Sequence, residues 1–166
     1  DEEAAALRAR LAAAGIAAEI PGLEGARTIL KLRVLSRHQQ LLRLDFEAAF
    51  SAQQSALLLA PLRAQLPGAH ALLLSDYAKG TLAEAPEFIA AGRAARVPVL
   101  VDPKGRDFGR YRGATLLTPN LAEFEAVAGA HSSESELEQQ ARRLAQELAL
   151  GALLITRGER GMTLVP

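Results

Sequence analysis

The chain has 166 residues, a length that suits one domain with a substantial core. Lys plus Arg and Asp plus Glu both number 19, so no one-signed field is available to attract nucleic acid or anionic lipid. There is no Cys, and the three His residues lie too far apart in the sequence for a metal-ligand motif. No apolar run approaches the roughly 20 residues of a membrane span, and the acidic start is unlike a signal peptide. We therefore expect a cytoplasmic protein that binds small molecules, with no nucleic-acid or membrane partner.

The N-terminal residues predict a helix followed by a short strand. Residues 2–14 are rich in Ala and place Leu7 and Leu11 on one face, and Gly15 follows where a helix would end. Residues 16–20 are mostly apolar and are a strand candidate.

The stretch of residues 27–46 alternates apolar and polar residues on both sides of a polar turn, SRHQQ. This pattern predicts an antiparallel hairpin with one buried face. The other face carries the charged residues Lys31, Arg33, Arg43 and Asp45. Either these charges form a solvated face, or the hairpin is a lid or subunit-contact sheet whose basic side chains face an anionic ligand.

From Ser51 onward, helices and strands alternate with short links, which predicts an α/β fold with a largely parallel sheet flanked by helices. The predicted strands are 69–74, 98–101, 114–117, 152–155 and 162–165. The predicted helices start after the capping residues Ser51, Thr81, Asn120 and Ser133, and Gln54 completes a capping box with Ser51. The first of them carries an apolar stripe of Leu57, Leu58, Leu62 and Leu66, and we predict that it continues to Pro67. The helix after Asn120 spans residues 121–128, and the buried face of the helix after Ser133 consists of Leu137, Ala141, Leu144 and Leu148.

Polar clusters follow four of the predicted strands. They are Ser75-Asp76, Asp102-Pro103-Lys104, Thr118-Pro119-Asn120 and Thr156-Arg157-Gly158. The carboxyl ends of parallel strands share one edge of a sheet, where ligands bind and where a helix N-terminus favours phosphate. The convergence predicts a phosphate-handling site at this edge.

The spacing of Asn120 and Glu123 has two interpretations. The amide can contact a phosphate while the carboxylate holds a water bound to Mg²⁺. Alternatively, the pair is a helix cap that needs no ligand, which is the interpretation that the spacing alone favours.

The other clusters are equally open. Asp102 and Lys104 either form a surface ion pair or lie beside a phosphate and its cation, and Asp76 has the same two interpretations. Gly158 and Gly161 either let backbone amides approach a nucleotide phosphate or make the turn into the last strand. No Walker-type phosphate loop is present.

Five blocks together carry a family resemblance: KLRVLSRHQQLLRLDF, LLLSDYAKG, VPVLVDPKG, FGRYRGATLLTPNLAEFEAV and LLITRGERGM. Their succession resembles the ribokinase-like (PfkB) carbohydrate kinases, and within them the heptose 7-phosphate kinases of ADP-heptose synthesis. The resemblance implies transfer of phosphate from ATP, with Mg²⁺, to the anomeric hydroxyl of D-glycero-β-D-manno-heptose 7-phosphate for lipopolysaccharide synthesis.

The resemblance also implies roles for individual residues. The segment Asn120, Leu121, Ala122 and Glu123 matches the family's Asn-x-x-Glu element at magnesium and the nucleotide phosphates, and Thr156, Gly158 and Gly161 match its nucleotide-binding turn. We add Lys104 to the candidates for ATP binding. The candidates for metal binding are Glu123 and Asp102. The hairpin would belong to a lid that also makes the homodimer contact, so Lys31, Arg33 and Arg43 are candidates for contact with the sugar phosphate or the partner subunit. Asp76 is a further substrate or lid candidate.

Two family elements are not found in these residues. The Gly-Gly sugar-binding segment is expected before Asp1, and the Gly-Ala-Gly-Asp element, with its catalytic Asp, is expected after Pro166. We therefore predict a single partial kinase domain, with the lid at about 27–46 and the α/β core at about 51–166, that holds no catalytic base and does not turn over alone. The alternatives are another ribokinase-like sugar kinase and a non-catalytic nucleotide-binding or dimerising module.

Overall fold

The computed structural model describes residues 1–23, 25–37 and 39–166. Within these residues the chain forms two compact units, Asp1–Ala49 and Phe50–Pro166. None of the helices in the described ranges is long and apolar enough to cross a membrane.

The first unit begins with helix α1, Glu2–Ala13, which confirms the predicted helix. The helix starts at Asp1, whose Oδ1 accepts a hydrogen bond from the backbone N–H of Ala4 at 2.9 Å. The predicted strand at residues 16–20 is wrong, because this segment forms no strand pairing with the described residues and Ile16 is 53% exposed. Without a neighbouring strand or a surface to cover it, the short apolar run has nothing to hold it in a sheet.

The first unit also contains the predicted hairpin, made of β1, Leu30–Ser36, and β2, Gln39–Phe46. The strands pair antiparallel, with Lys31 opposite Asp45, so the charged residues share one face as predicted. The prediction that the other face is buried is wrong, since every described residue of both strands is exposed. Residue 38 of the predicted turn lies outside the described residues.

The second unit is built on a five-stranded sheet in which strands adjacent in sequence are also adjacent in space. Its strands are β3, Leu72–Ser75; β4, Val99–Asp102; β5, Leu116–Leu117; β6, Ala152–Thr156; and β7, Met162–Val165. The first four are parallel, and β7 runs antiparallel to β6. The largely parallel α/β fold is therefore confirmed. Alternate apolar side chains of the central strands are fully buried, whereas those between them are half-buried. The fully buried ones are Val99, Val101, Leu117, Leu153 and Ile155.

Five helices accompany this sheet. They are α2, Ala52–Ala56; α3, Leu59–Gln65; α4, Ala85–Ala94; α5, Leu121–Ala128; and α6, Glu134–Glu147. Helix α5 has the predicted bounds. Helix α6 begins after Ser133 and buries Leu137, Ala141 and Leu144 on the predicted apolar face.

The predicted single helix after Ser51 is wrong, because the chain breaks between α2 and α3. Pro61 has no backbone N–H with which to bond the carbonyl group of Leu57, so the helix cannot run through this point. Leu57 lies at the break and is 57% exposed instead of belonging to the apolar stripe. The predicted capping box of Ser51 and Gln54 is confirmed.

The helix predicted after Thr81 begins four residues later, at Ala85. The carbonyl group of Thr81 accepts a hydrogen bond of 2.7 Å from the buried hydroxyl of Ser55. The carbonyl groups of Leu82 and Ala83 accept from the guanidinium of Arg110. These contacts hold residues 81–84 as a turn, and Pro86 then fits the first turn of α4.

Candidate functional site

The carboxyl ends of the parallel strands bring the four predicted polar clusters to one edge of the sheet. Backbone hydrogen bonds continue past the strand ends: the N–H of Asp76 donates to the carbonyl of Asp102 at 2.9 Å. The N–H of Thr156 likewise donates to the carbonyl of Pro119 at 2.9 Å, and Asn120 forms a parallel bridge with Thr156. The clusters are therefore neighbours in pairs along this edge.

Asn120 and Glu123 form a complete capping box at the start of α5. The Oδ1 of Asn120 accepts from the backbone N–H of Glu123 at 2.9 Å, and the Oε2 of Glu123 accepts from the backbone N–H of Asn120 at 3.1 Å. The capping interpretation therefore describes two of the contacts of this pair. It leaves the second carboxylate oxygen of Glu123 for another partner.

That partner is Lys104, in the loop after β4. Its Nζ lies 2.6 Å from the Oε1 of Glu123, and the side chains are 52% and 15% exposed, respectively. The hydrogen bond to Glu123, followed by the negative charges of Glu123 and Asp102, raises the pKa of Lys104 above its ordinary value. The ion pair joins two candidates that are 19 residues apart in sequence.

An open depression of about 350 Å³ lies at this ion pair. Its lining includes the predicted residues Lys104, Asn120, Ala122 and Glu123, together with Gly105, Arg106 and Ala126. The last three were missed, although Arg106 follows the Asp-Pro-Lys-Gly sequence directly and is a basic residue at the same strand end.

The metal candidates offer oxygen donors of the kind that Mg²⁺ prefers. Asp102 is exposed at the end of β4, and its carboxylate has no hydrogen bond or ion pair with the described residues. Glu123 contributes a second carboxylate, which Lys104 neutralises. The described ranges contain no group of three or more His, Cys, Asp or Glu that could hold a metal ion by themselves. The donor set fits an ion that takes one or two carboxylates and completes its shell with water and phosphate oxygens.

The predicted nucleotide turn from Thr156 to Gly161 contains a single 3₁₀ turn, Gly158–Arg160. Gly158 and Gly161 have φ values of 61° and 79°, which are left-handed conformations that favour glycine. No atom lies within 4 Å of a Cβ built at either position, so the backbone here faces open space. The turn is closed by a 2.8 Å hydrogen bond from the N–H of Arg157 to the carbonyl of Gly161.

Arg157 was missed as a structural residue of this turn. Its guanidinium donates to both carboxylate oxygens of Glu134, in the first turn of α6, and to the hydroxyl of Thr163 on β7 at 3.1 Å. The hydrogen bond from Arg157 holds the pKa of Glu134 below its ordinary value. The available signal was a basic residue directly before the turn glycine Gly158.

Asp76 is buried, with 5% of its surface exposed, although the prediction placed it among substrate or lid candidates. Its Oδ1 accepts from the N–H of Ala78 at 2.7 Å, and its Oδ2 accepts from the hydroxyl of Tyr111 at 2.6 Å. Arg110 lies 3.7 Å from the same Oδ2. Burial, and then the hydrogen bond to Asp76, raise the pKa of Tyr111, so its hydroxyl remains a donor at neutral pH.

The basic hairpin candidates lie on the charged face of β1 and β2 in the first unit. Lys31 pairs with Asp45 at 3.3 Å and with Glu47 at 3.1 Å, and Arg43 pairs with Asp45 at 2.9 Å. These partners hold the pKa of Lys31 above its ordinary value. Arg33 lies directly opposite Arg43, a juxtaposition of like charges that is unfavourable in the absence of an anion.

The chain is similar in sequence to proteins named HldE. The bifunctional protein HldE of Hahella chejuensis is 54% identical to the chain over 165 residues, and that of Methylococcus capsulatus is 58% identical over the same length. Each alignment covers 99% of this chain but only 35% of the relative, so the chain spans about a third of the length of these proteins.

Solved structures share the fold. Phosphofructokinase-2 from Escherichia coli, in complex with potassium, superposes with a TM-score of 0.67 at 17% identity over 96% of this chain and 53% of its own. Arabidopsis thaliana ribokinase, complexed with ribose and ATP, gives a TM-score of 0.54 at 18% identity over 78% of this chain and 42% of its own. The family profile described as pfkB family carbohydrate kinase matches residues 1–165. The chain therefore belongs to the pfkB family of carbohydrate kinases, the family that its five sequence blocks resemble.

Proposed function

We propose that the chain forms part of a kinase that transfers phosphate from ATP to the anomeric hydroxyl of D-glycero-β-D-manno-heptose 7-phosphate. The product would be the 1,7-bisphosphate of ADP-heptose and lipopolysaccharide synthesis. The observation that carries the proposal is the Lys104–Glu123 pair beside the Asn120 cap, at the carboxyl edge of a parallel sheet. The identity of more than half the residues with proteins named HldE supports heptose 7-phosphate over other sugars.

The start of α5 and the loop after β4 would bind the phosphate groups. The N-terminus of a helix carries a partial positive charge, and Lys104 adds a full one from an exposed position. Glu123 and Asp102 would hold Mg²⁺, which neutralises negative charge on the phosphate groups when it is bound. The open backbone at Gly158 and Gly161 leaves room for the nucleotide to approach the Thr156–Gly161 turn.

The hairpin is the proposed lid and homodimer contact. Its apolar face is exposed at both strands, and a second copy of the hairpin offers it a matching apolar surface. On its charged face, the opposed Arg33 and Arg43 favour an anion such as the sugar phosphate. A structural neighbour, phosphofructokinase-2 from Escherichia coli, has a tetrameric inhibited form, which supports subunit contacts in this fold.

We expect the group that accepts the hydroxyl proton to lie in the family's Gly-Ala-Gly-Asp element, which these 166 residues do not contain. We therefore expect the 166 residues alone to bind MgATP without turning over. The complete product of the gene is the form in which activity should be measured.

The test is substrate profiling of the complete gene product with MgATP. Phosphorylation is followed by phosphorus NMR with heptose 7-phosphate, ribose and fructose 6-phosphate as acceptors, and EDTA serves as the metal-free control. We expect kcat/KM for heptose 7-phosphate to exceed that for the other sugars by about 100-fold or more, because an unfilled polar sugar site is costly. A preference for another sugar would make the protein a different ribokinase-like kinase. Absence of both phosphorylation and MgATP binding would instead favour a non-catalytic dimerising module.

A further inference from the structure

The hydroxyl of Tyr111 lies where two strand ends and a loop meet. Tyr111 ends the 3₁₀ helix Phe108–Tyr111 and is completely buried. Its hydroxyl donates to the Oδ2 of Asp76 at 2.6 Å, which joins it to the end of β3. The same oxygen accepts the backbone N–H of Lys104 at 3.3 Å and lies 3.3 Å from the carbonyl oxygen of Lys104, which joins it to the loop after β4.

Asp76 fixes the direction of this hydroxyl. Its backbone N–H donates to the carbonyl of Asp102, which ties the backbone of Asp76 to β4, and its Oδ1 accepts the N–H of Ala78. Arg110 lies 3.7 Å from the carboxylate and 5.5 Å from the centre of the Tyr111 ring, and so offsets the buried negative charge. The Tyr111 hydroxyl has one proton, which it donates to Asp76. Its oxygen lone pairs are therefore left to accept the N–H of Lys104.

The side chain of Lys104 leaves this anchored backbone and reaches Glu123. The backbone N–H of Lys104 donates to Tyr111, and its ammonium group lies 2.6 Å from the Glu123 carboxylate although its side chain is half exposed. An exposed lysine on an unanchored loop would lose this geometry, since long charged side chains on the surface sample many rotamers.

We propose that Tyr111, oriented by Asp76, is a positioning residue that seats Lys104 at the nucleotide-phosphate site. The choice of ligand rests on the proposed function, whereas the chain of contacts from Asp76 through Tyr111 to Lys104 does not. Asp76 thereby acts inside the protein, through Tyr111 and Lys104, and its buried carboxylate need not touch the sugar.

The experiment uses the complete gene product in four forms besides the wild type: Tyr111→Phe, Lys104→Met, the double variant, and Tyr77→Phe. Tyr77 is 71% exposed and provides the matched loss of one hydroxyl outside the contact chain. The dissociation constant of ADP is measured by calorimetry in EDTA, so that the metal does not contribute. Hydrogen exchange of peptides covering residues 102–106 is measured in the ligand-free protein.

We expect Lys104→Met to weaken ADP binding about tenfold, since it removes a charge-assisted contact, and Tyr111→Phe to weaken it about threefold. Because Tyr111 acts through Lys104, the double variant should bind like Lys104→Met alone, within error. Exchange at residues 102–106 should rise in Tyr111→Phe and stay at the wild-type level in Tyr77→Phe.

Three outcomes would overturn the positioning role. These are additive effects in the double variant, unchanged ADP affinity in Tyr111→Phe despite lower stability, and unchanged exchange at residues 102–106. If the wild-type protein binds no ADP either in EDTA or with Mg²⁺, it is the proposed function that fails, and the exchange experiment alone then decides whether Tyr111 holds the Lys104 loop.

Discussion

The carboxylate of Glu123 is shared between two contacts: its Oε1 lies 2.6 Å from the Nζ of Lys104, and its Oε2 accepts the backbone N–H of Asn120 at 3.1 Å. One oxygen therefore closes the helix cap, and the other faces the open depression beside Lys104. The two interpretations of the Asn120–Glu123 spacing, a helix cap and a ligand site, are compatible in one side chain.

Glu123→Gln separates these two roles in the complete gene product. The glutamine amide oxygen still accepts the N–H of Asn120, so we expect stability to fall by no more than about 1 kcal/mol. The lost negative charge removes a proposed magnesium partner, and kcat/KM should fall by about 100-fold or more. The measurements are thermal unfolding and initial rates over a range of Mg²⁺ concentrations.

Glu136→Gln is the matched control, because Glu136 holds the corresponding position in the first turn of α6 and accepts from Ser132. It should alter stability slightly and leave kcat/KM unchanged. Near-normal turnover in Glu123→Gln would leave helix capping as the only role of that carboxylate.

Gly161→Ala tests the backbone of the Thr156–Gly161 turn. Gly161 has φ 79° and ψ −133°, a conformation that an L-residue rarely adopts, while the space around its Cβ position is open. We expect a loss of roughly 1–3 kcal/mol from backbone strain alone, together with weaker nucleotide binding as the turn relaxes. Urea unfolding and calorimetric titration with ADP measure the two effects.

Gly22→Ala serves as its control, since Gly22 also has open space around it but no left-handed φ. That substitution should leave unfolding and ADP affinity as they are in the wild type. Equal stability of Gly161→Ala and wild type would show that the turn adapts to a side chain, and the argument from a required glycine would not hold.

Local sequence signals predicted those parts of the fold that local interactions decide. The start of α5 follows from the Asn120 cap, and the parallel direction of the strands follows from their alternation with helices through short links. The break before α3 could also have been predicted, because Pro61 has no backbone N–H to donate within a helix. The regular spacing of the leucines favoured a continuous helix instead. The edge that carries the site could be predicted for the same reason, since strand direction alone places the four polar clusters there.

The long-range contacts of the site could not be predicted in this way. From the sequence alone, Tyr111 is interpreted as a packing residue. Only the tertiary structure brings its hydroxyl to Asp76, 35 residues earlier in the chain. The exposure of both faces of the hairpin is likewise invisible in its alternating pattern. Alternation predicts two faces with different chemistry, but what covers each face depends on other surfaces.

The Arg157–Glu134 pair predicts a pH dependence of stability. The pKa of Glu134 is lowered in the folded protein from its ordinary value of 4.5, so the folded state favours the ionised carboxylate. The pair therefore stabilises the fold above pH 4.5, and this contribution is lost as the pH falls through the lowered pKa. Wild type should unfold at a higher temperature than Glu134→Gln at pH 7, and the difference should shrink below pH 4.5.

Glu147→Gln controls for the loss of a surface charge, because Glu147 pairs with Arg143 where both side chains are more than half exposed. Exposed pairs contribute little, so this variant should unfold like the wild type at every pH. A difference between wild type and Glu134→Gln that stays constant from pH 7 to pH 3 would refute the ionic explanation.

The exposed apolar face of the hairpin predicts a homodimer that a single charge disrupts. Leu32 and Leu44 pair across the two strands and are 45% and 39% exposed. Leu44→Glu would place a carboxylate in the proposed contact, and burying an unpaired charge there should weaken association by a factor of about 100 or more. Size-exclusion chromatography with light scattering on the complete gene product measures the mass.

Leu57→Glu, at an exposed leucine outside the hairpin, should remain dimeric. If Leu44→Glu elutes with the mass of the wild-type dimer, the hairpin is not the subunit contact, and its apolar face must be covered in some other way.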